Sequence, residues 1–311
     1  MSSFGFPLRG KGERQRIREE RPAWEEPPSK IGSAAKAVVI TVICAVMILP
    51  FLTVLSTSLA SREEITASGG FVLFPSEPTL EAYRTVLSGG IVSRAVVVSV
   101  LITVVGTALS LLTTIALAYA LSKRGVPGGK PILLMVLFTL LFAPGMVPMY
   151  VVVKELGLLD SYWSLILPVL INAFNLVVLR AFFMNIPEEL YQAARIDGAG
   201  DWRILTRIVL PLSKGVVAVV GLFYAVTYWN AFFNAMLYLN DSGKWPIQLV
   251  LRTYVVQNKS MTADQLGIAH MPPQQSLSMA VVMLALLPIL ALFPFLQKYF
   301  TKGVLTGAIK G

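Results

Sequence analysis

Six long apolar stretches, separated by polar segments, make up most of this chain. They cover residues 37–60, 91–121, 131–153, 164–179, 215–238 and 276–296. The hydrocarbon core of a bilayer is about 30 Å thick, and an α-helix needs roughly 20 apolar residues to cross it. Most of the stretches have about this length, and none contains Asp or Glu. The pattern therefore predicts an all-α integral membrane protein with six transmembrane helices.

The third stretch is interrupted by two prolines and a glycine at residues 143–148. These residues must break the helical hydrogen-bond ladder. In lipid, freed carbonyl groups are tolerated only against protein or a water-filled cavity. Two interpretations follow: a broken helix that lines the translocation path, or a helix end near the outer membrane interface.

The segments outside the six stretches divide the chain further. Residues 1–36 are polar and rich in charge and proline, which predicts a mostly disordered cytoplasmic head, and residues 37–311 form one membrane domain. Ser58-Leu59-Ala60 resembles a signal-peptidase site, but the apolar run before it is too long for a signal peptide, which favours a retained helix. Residues 61–90 and 239–275 are expected to be external connectors; the longer one either contacts an extracytoplasmic protein or is a passive loop.

The composition supports a membrane protein, because 55% of the residues are hydrophobic, 14% are charged and the mean hydropathy is +0.70. A net charge of +9 raises nucleic acid as a partner. However, 19 of the 26 Lys and Arg residues fall on the side of the head, the 122–131 turn, the 180–214 region and the tail after 297. This asymmetry is typical of cytoplasmic loops. It predicts cytoplasmic termini and argues against nucleic acid.

The sequence contains little that could perform chemistry. Cys44 and His270 are the single cysteine and histidine, and the turn Gly128-Gly129-Lys130-Pro131 lacks the spacing and the hydroxyl of a phosphate loop. We therefore expect a transport subunit that is not an enzyme and binds no cofactor or metal. If nucleotide energy drives it, another chain supplies that energy.

A polar island at 185–211 lies between the fourth and fifth stretches. Asn185 and Pro187 are helix-start residues, and Leu190, Ala193, Ala194 and Asp197 fall on one helical face. Gly198 and Gly200 allow a turn with positive φ, after which Asp201 is expected to cap a second helix. In that helix Trp202, Leu205, Ile208 and Val209 are expected to face the membrane, and Pro211 closes the unit. The alternative interpretation is an ordinary amphipathic loop at the membrane interface.

Within the island, Gln192-Ala193-Ala194, then Gly198, then Ile208-Val209-Leu210-Pro211 resembles the EAA signature of ABC importer permeases. Thr79-Leu80-Glu81-Ala82-Tyr83, Trp229-Asn230-Ala231-Phe232-Phe233 and the ending Gly307-Ala308-Ile309-Lys310-Gly311 are similar to stretches of the sugar-type branch of that family, which resembles the maltose permeases and takes up oligosaccharides and polysaccharides. One departure is Gln192, which stands where the signature usually has glutamate.

The resemblance implies a type I importer permease fold in the bacterial cytoplasmic membrane and a function in carbohydrate import. The partners would be a second, different permease, two ATPase subunits that bind ATP and Mg²⁺, an extracytoplasmic substrate-binding protein and membrane lipid. The island would be the coupling loop that docks in the ATPase. Its expected coupling residues are Glu189, Gln192, Ala193, Ala194, Asp197, Gly198, Ile208, Leu210 and Pro211.

Residues of the substrate path are a separate prediction. Amides inside a membrane are costly unless they are paired or face water, and Thr227, Asn230 and Asn234 fall on one helical face. Sugar recognition needs such amides beside aromatic platforms. Helix–helix hydrogen bonding and an aromatic belt at the interface explain them without a substrate, and the sequence favours this second explanation. The candidates are Asn172, Asn175, Tyr228, Trp229, Asn230 and Asn234.

Two other functions remain open at this stage. The same machine could carry a non-sugar solute, because the coupling loop does not encode the cargo. A secondary transporter is the rival from another class, but it is expected to have carboxylates inside the membrane, and the six stretches have none.

Overall fold

The computed structural model describes residues 30–123, 125–257 and 272–308. Outside this range lie residues 1–29 of the predicted head, residues 258–271 of the predicted connector and the last three residues. In the described part every regular element is helical. The fourteen helices named here are α1 Lys30–Leu59, α2 Arg62–Ala67, α3 Glu81–Leu87, α4 Gly90–Ser122, α5 Gly129–Leu141, α6 Met146–Glu155, α7 Trp163–Val169, α8 Ala173–Met184, α9 Glu188–Ile196, α10 Asp201–Leu212, α11 Lys214–Trp229, α12 Phe232–Tyr238, α13 Ile247–Val256 and α14 Gln274–Ala308.

The chain divides into two units, residues 1–52 and 53–311. The described part of the first unit is the beginning of α1, which is mostly apolar and is exposed over residues 33–52. This helix begins at Lys30, seven residues before the predicted span. The second unit contains all the other helices and the sites described below.

Each predicted apolar stretch is helical, but only three described helices, in α1, α4 and α14, are long and apolar enough to cross a membrane singly. Two bent pairs, α7 with α8 at 50° and α10 with α11 at 87°, raise the number to five. The third predicted span is divided into α5 and α6 at Phe142–Gly145, where Gly145 has φ +81°. The predicted interruption is confirmed, and the residues at the break are exposed on this chain.

The core of the second unit forms where α11 and α8 pack against α4. Tyr224 and Tyr228, one turn apart on α11, pair with Thr114 and Ser110, one turn apart on α4, at 2.7 Å between hydroxyl oxygens in each pair. Close approach depends on Gly106, where an added Cβ would lie 2.8 Å from the Tyr228 ring. Interhelical hydrogen bonds and small residues are the usual means of helix association in membranes.

The prediction that residues 239–275 form a long external loop is partly wrong. Its first half contains α13, whose residues Ile247, Leu249 and Val250 are buried. The Ile247 N–H donates to the hydroxyl oxygen of Ser99 near the beginning of α4, at 2.8 Å. Packing against α4 and α14 therefore turns a segment that looked like a connector into a structural helix.

Candidate functional site: the coupling loop and a polar cleft

The first helix of the polar island, α9, ends in a tight glycine turn. Gly198 has φ +72°, and the N–H groups of Gly198 and Ala199 donate to the carbonyls of Arg195 and Ala194 at 3.0 and 2.9 Å. A left-handed residue at a helix end is usually glycine because a Cβ is unfavourable there. The prediction for Gly198 is confirmed. The prediction for Gly200 is wrong, because its φ is −71°.

The second helix, α10, begins without a side-chain cap, so the capping role predicted for Asp201 is wrong. Asp201 is the first helical residue, and its carboxylate is paired instead with Lys123, just beyond the end of α4. The hydrogen bond from Lys123 is the main reason that the pKa of Asp201 lies below its usual value. The Tyr119 hydroxyl donates to the Asp201 carbonyl at 3.2 Å, and the Lys123 ammonium lies 4.2 Å from the centre of the Tyr119 ring. The end of α4 thus holds the loop.

The helix-start prediction for the island needs one adjustment. Asn185 belongs to the end of α8, where its N–H donates to the carbonyl of Ala181, and Pro187 is the residue before α9. Glu188 and Glu189 lie in the first turn of α9, where the helix dipole stabilises negative charge.

The coupling residues predicted on α9 divide between two faces. Ala194 is buried against the bundle, whereas Glu189, Gln192, Ala193 and Asp197 are exposed. The predicted single flat face, which joined Ala194 to Leu190 and Asp197, is therefore wrong. The outward face instead includes Ile196, which is 87% exposed. Single exposed apolar side chains are common, so Ile196 is a candidate contact because of its place on the predicted coupling helix.

On α10, a π turn from Leu205 to Val209 changes which residues face inward. Leu205 and Val209 are buried against the protein core, whereas Trp202 is 74% exposed, so these residues do not share the predicted membrane face. Ile208 and Leu210 are partly buried and pack on the same core. After Pro211 the chain turns by 87° at Ser213 into α11. The result is a short helix nearly perpendicular to the next apolar helix.

A second candidate site is a cleft of about 190 Å³ where α11 ends and α12 begins. The helix breaks at Asn230 and Ala231, which have ψ values of 12° and 67°. Thr227, Asn230 and Asn234 line the cleft together, as their predicted common face requires, although they do not share one continuous helix. Tyr228, Phe232 and Phe233 add aromatic surface.

The other predicted path residues have structural contacts. The Tyr228 ring borders the cleft, but its hydroxyl is bonded to Ser110 in the core. The Trp229 indole N–H donates to the Ala285 carbonyl on α14 at 2.9 Å. Asn172 caps α8, since its side chain accepts the Asn175 N–H at 3.1 Å, and Asn175 is buried. Trp229, Asn172 and Asn175 are absent from the lining of this cleft.

Two residues beside the cleft were missed because they lie in the segment predicted as a loop. Gln248 on α13 donates from its amide nitrogen to the side-chain oxygen of Asn230 at 3.4 Å. Arg252, one turn later, places its guanidinium carbon 5.1 Å from the centre of the Phe232 ring. Gln248 and Arg252 are four residues apart, with three apolar residues between them, which is typical of a helix. The pattern covers too few residues to predict a helix by itself.

The helical architecture and the docked loop define a membrane permease of the importer type. The family model described as "Binding-protein-dependent transport system inner membrane component" matches residues 113–306. The chain belongs to this family, so it is a multi-pass transport subunit rather than an enzyme.

Two curated relatives come from Bacillus subtilis (strain 168). The "Polygalacturonan/rhamnogalacturonan transport system permease protein YtcP" is 48% identical over 86% of this chain and 93% of its own length. "Protein LplC" is 49% identical over 86% of this chain and 90% of its own length. A solved chain from a bacterial ABC transporter involved in the import of the acidic polysaccharide alginate has a TM-score of 0.80 and 28% identity, covering 90% of this chain and all of its own. These matches confirm the type I importer permease fold.

Proposed function

We propose that this chain is one permease subunit of an ABC importer whose cargo is an oligosaccharide or polysaccharide. The observation that carries the proposal is the 48% identity to a polygalacturonan/rhamnogalacturonan permease over 93% of that protein. The likeness to a chain of the alginate importer supports the same cargo class. A non-sugar solute and a secondary transporter are not favoured by these relatives.

The cargo is tested by ATP-driven uptake into proteoliposomes that contain the purified complex and its binding protein. We expect uptake of a labelled oligosaccharide that stops when either ATP or the binding protein is omitted. Uptake driven by an ion gradient without ATP would contradict the proposal.

The same proposal includes the partners. The complex would contain a second, different permease, two ATPase subunits that hold ATP and Mg²⁺, and an extracytoplasmic substrate-binding protein, while this chain binds no cofactor. Both termini would be cytoplasmic, on the same side as the coupling loop. Co-purification of the tagged chain from its native membrane, followed by mass spectrometry, tests the composition. Recovery of this chain alone, in detergent that keeps other complexes intact, would contradict it.

The roles of the coupling residues can now be assigned more finely. Glu189, Gln192, Ala193 and Asp197 on the exposed part of the loop would contact the ATPase. The remaining predicted residues would hold the loop in place: Ala194, Ile208 and Leu210 by packing, Gly198 by its turn and Pro211 at the corner. The support is their burial and backbone geometry. Alanine changes at Glu189, Gln192 and Asp197 should weaken ATPase binding without lowering the stability of the permease. Changes in the second group should distort the loop itself and so impair coupling indirectly.

The polar cleft is the part of this chain that we assign to the cargo. Asn230, Asn234 and Thr227 offer neutral hydrogen-bonding groups beside aromatic rings, which suits the hydroxyl groups and apolar faces of a sugar. Asn234→Ala should lower the apparent affinity for the cargo in uptake assays. Asn172→Ala is the control, because Asn172 caps a helix away from the cleft and should affect stability instead.

A further inference from the structure

Among the described residues, Arg252 on α13 has a charged side chain with a buried nitrogen that makes no hydrogen bond. The residue is half-buried, and its Nε atom is fully buried without a hydrogen-bond partner. No carboxylate of the described residues lies within 4 Å of it. Burying part of a cation without a partner is unfavourable, so such a group usually pairs with something. Among the residues that the structure describes, the Nε atom of Arg252 therefore has no hydrogen-bond acceptor.

The surroundings of Arg252 connect it to the cleft. Its guanidinium group lies over the ring of Phe232, which lines the cleft. Gln248 on the preceding turn is hydrogen-bonded to Asn230, which also lines it. Stacking on an aromatic face holds the guanidinium plane while its N–H groups stay free at the edge. Those N–H groups form a fork that fits a carboxylate with two parallel hydrogen bonds.

The local backbone also favours a functional position. Arg252 is the first residue of a π turn, Arg252–Val256, that forms the end of α13. π turns are rare, and single ones in helices are frequent at functional sites. The other π turn described here, Leu205–Val209, lies in the coupling loop.

We propose that Arg252 binds the carboxylate of a uronic acid unit of the cargo as it passes the cleft, and that Gln248 and Asn230 contact its hydroxyl groups. The inference rests on the proposed function in carbohydrate import and specifies the class of sugar, an acidic one. Phe232 would contact both Arg252 and the sugar, since it positions the guanidinium group and offers an apolar face to the sugar ring.

The test measures equilibrium binding to the purified permease–ATPase complex in nanodiscs, without the binding protein, so that the selectivity of that protein does not enter. The two probes are trigalacturonate and its methyl ester, which has the same rings but no charge. The variants are Arg252→Gln, Arg252→Lys and, as a matched control, Arg84→Gln, which removes an exposed arginine on α3.

The wild-type complex should bind the acid roughly ten- to a hundredfold more tightly than the ester, as expected for a hydrogen bond to a charged group. Arg252→Gln should bind both probes equally, Arg252→Lys should keep part of the preference, and Arg84→Gln should behave as the wild type. An unchanged preference in Arg252→Gln would overturn the proposal. An equal loss for acid and ester would also overturn it, because Arg252 would then be pairing with a partner protein or serving structure.

A wrong role for Arg252 and a wrong cargo class give different results. If the wild-type complex takes up saccharide with ATP but binds acid and ester equally, only the role of Arg252 is wrong. If the wild-type complex takes up no saccharide at all, carbohydrate import itself is wrong and the role of Arg252 falls with it.

Discussion

The two candidate sites lie at different levels along one helix, α4, and differ in what they leave exposed. Near the end at Ser122, Lys123 and Tyr119 hold the coupling loop, which keeps Ile196 and Trp202 open. Closer to the beginning of α4, Ser99 holds α13, whose apolar residues are buried while Gln248 and Arg252 contact Asn230 and Phe232 of the cleft. One site presents apolar surface that suits a protein partner, and the other presents polar groups that suit a hydrated solute.

Both sites thus depend on the same support. A helix of 33 residues is about 50 Å long, so α4 is long enough to span a membrane and connect them. The comparison teaches that the position of α11 against α4, fixed by Gly106 and the two tyrosine pairs, should matter to both sites at once. Changes at either site should instead affect one function and spare the other.

The largest effect is expected from Gly106→Ala. Its Cβ would lie 2.8 Å from three atoms of the Tyr228 ring, and overpacking of this kind costs about 1–3 kcal/mol. The unfolding midpoint of the purified complex should fall, and both ATPase coupling and uptake should decline. The matched control is Gly221→Ala, whose Cβ would meet only the end of the Leu111 side chain at 3.3 Å. Equal effects of the two changes would show that α4 and α11 have more room than this contact indicates.

Next comes Gly198→Val, which should uncouple transport while leaving insertion intact. No atom lies within 4 Å of a Cβ at this position, so the effect comes from the backbone alone. A side chain at positive φ costs about 1–2 kcal/mol, which corresponds to roughly a tenfold change in an equilibrium. Gly200→Val is the control, because that position is equally open but has φ −71°. Normal uptake per molecule of Gly198→Val would count against the assigned role of the turn.

A smaller and more selective effect is expected from Ile196→Lys. The charge would lie in the surface that we assign to the ATPase, so less ATPase should co-purify while the thermal stability of the permease stays the same. Phe74→Lys is the control, since Phe74 is exposed to a similar degree, 83% against 87%, but lies in another connector. Equal retention of the ATPase by both variants would place the docking surface elsewhere.

The smallest effect is expected from Asp201→Asn, because the carboxylate is 65% exposed and surface ion pairs contribute about 0–1 kcal/mol. The pKa of Asp201 is lowered in the folded protein, so the pair stabilises the loop at neutral pH and this stabilisation is lost as the pH falls through the lowered pKa. The difference in unfolding midpoint between wild type and variant should therefore be small at pH 7 and shrink in acid. A difference that grows in acid would contradict this assignment.

How far the sequence predicts the molecule differs between these sites. The coupling loop has a local signature, so Gly198 and the order of its elements follow from residues close together in the chain. Its faces do not, because the π turn at 205–209 and the pairing of Asp201 with Lys123 depend on distant contacts. Similarly, three residues of the cleft were predicted from one helical pattern, whereas Gln248 and Arg252 lie on a ten-residue helix whose burial is decided by α4 and α14.

The central claim is that the loop at 185–211 receives the ATPase. A photo-crosslinking amino acid placed at position 196, in the native membrane, tests it most directly, with position 74 as the matched site. We expect mass spectrometry to identify an ATPase chain cross-linked from position 196 and not from position 74. Cross-links from position 196 to lipid alone, or to an extracytoplasmic protein, would contradict it.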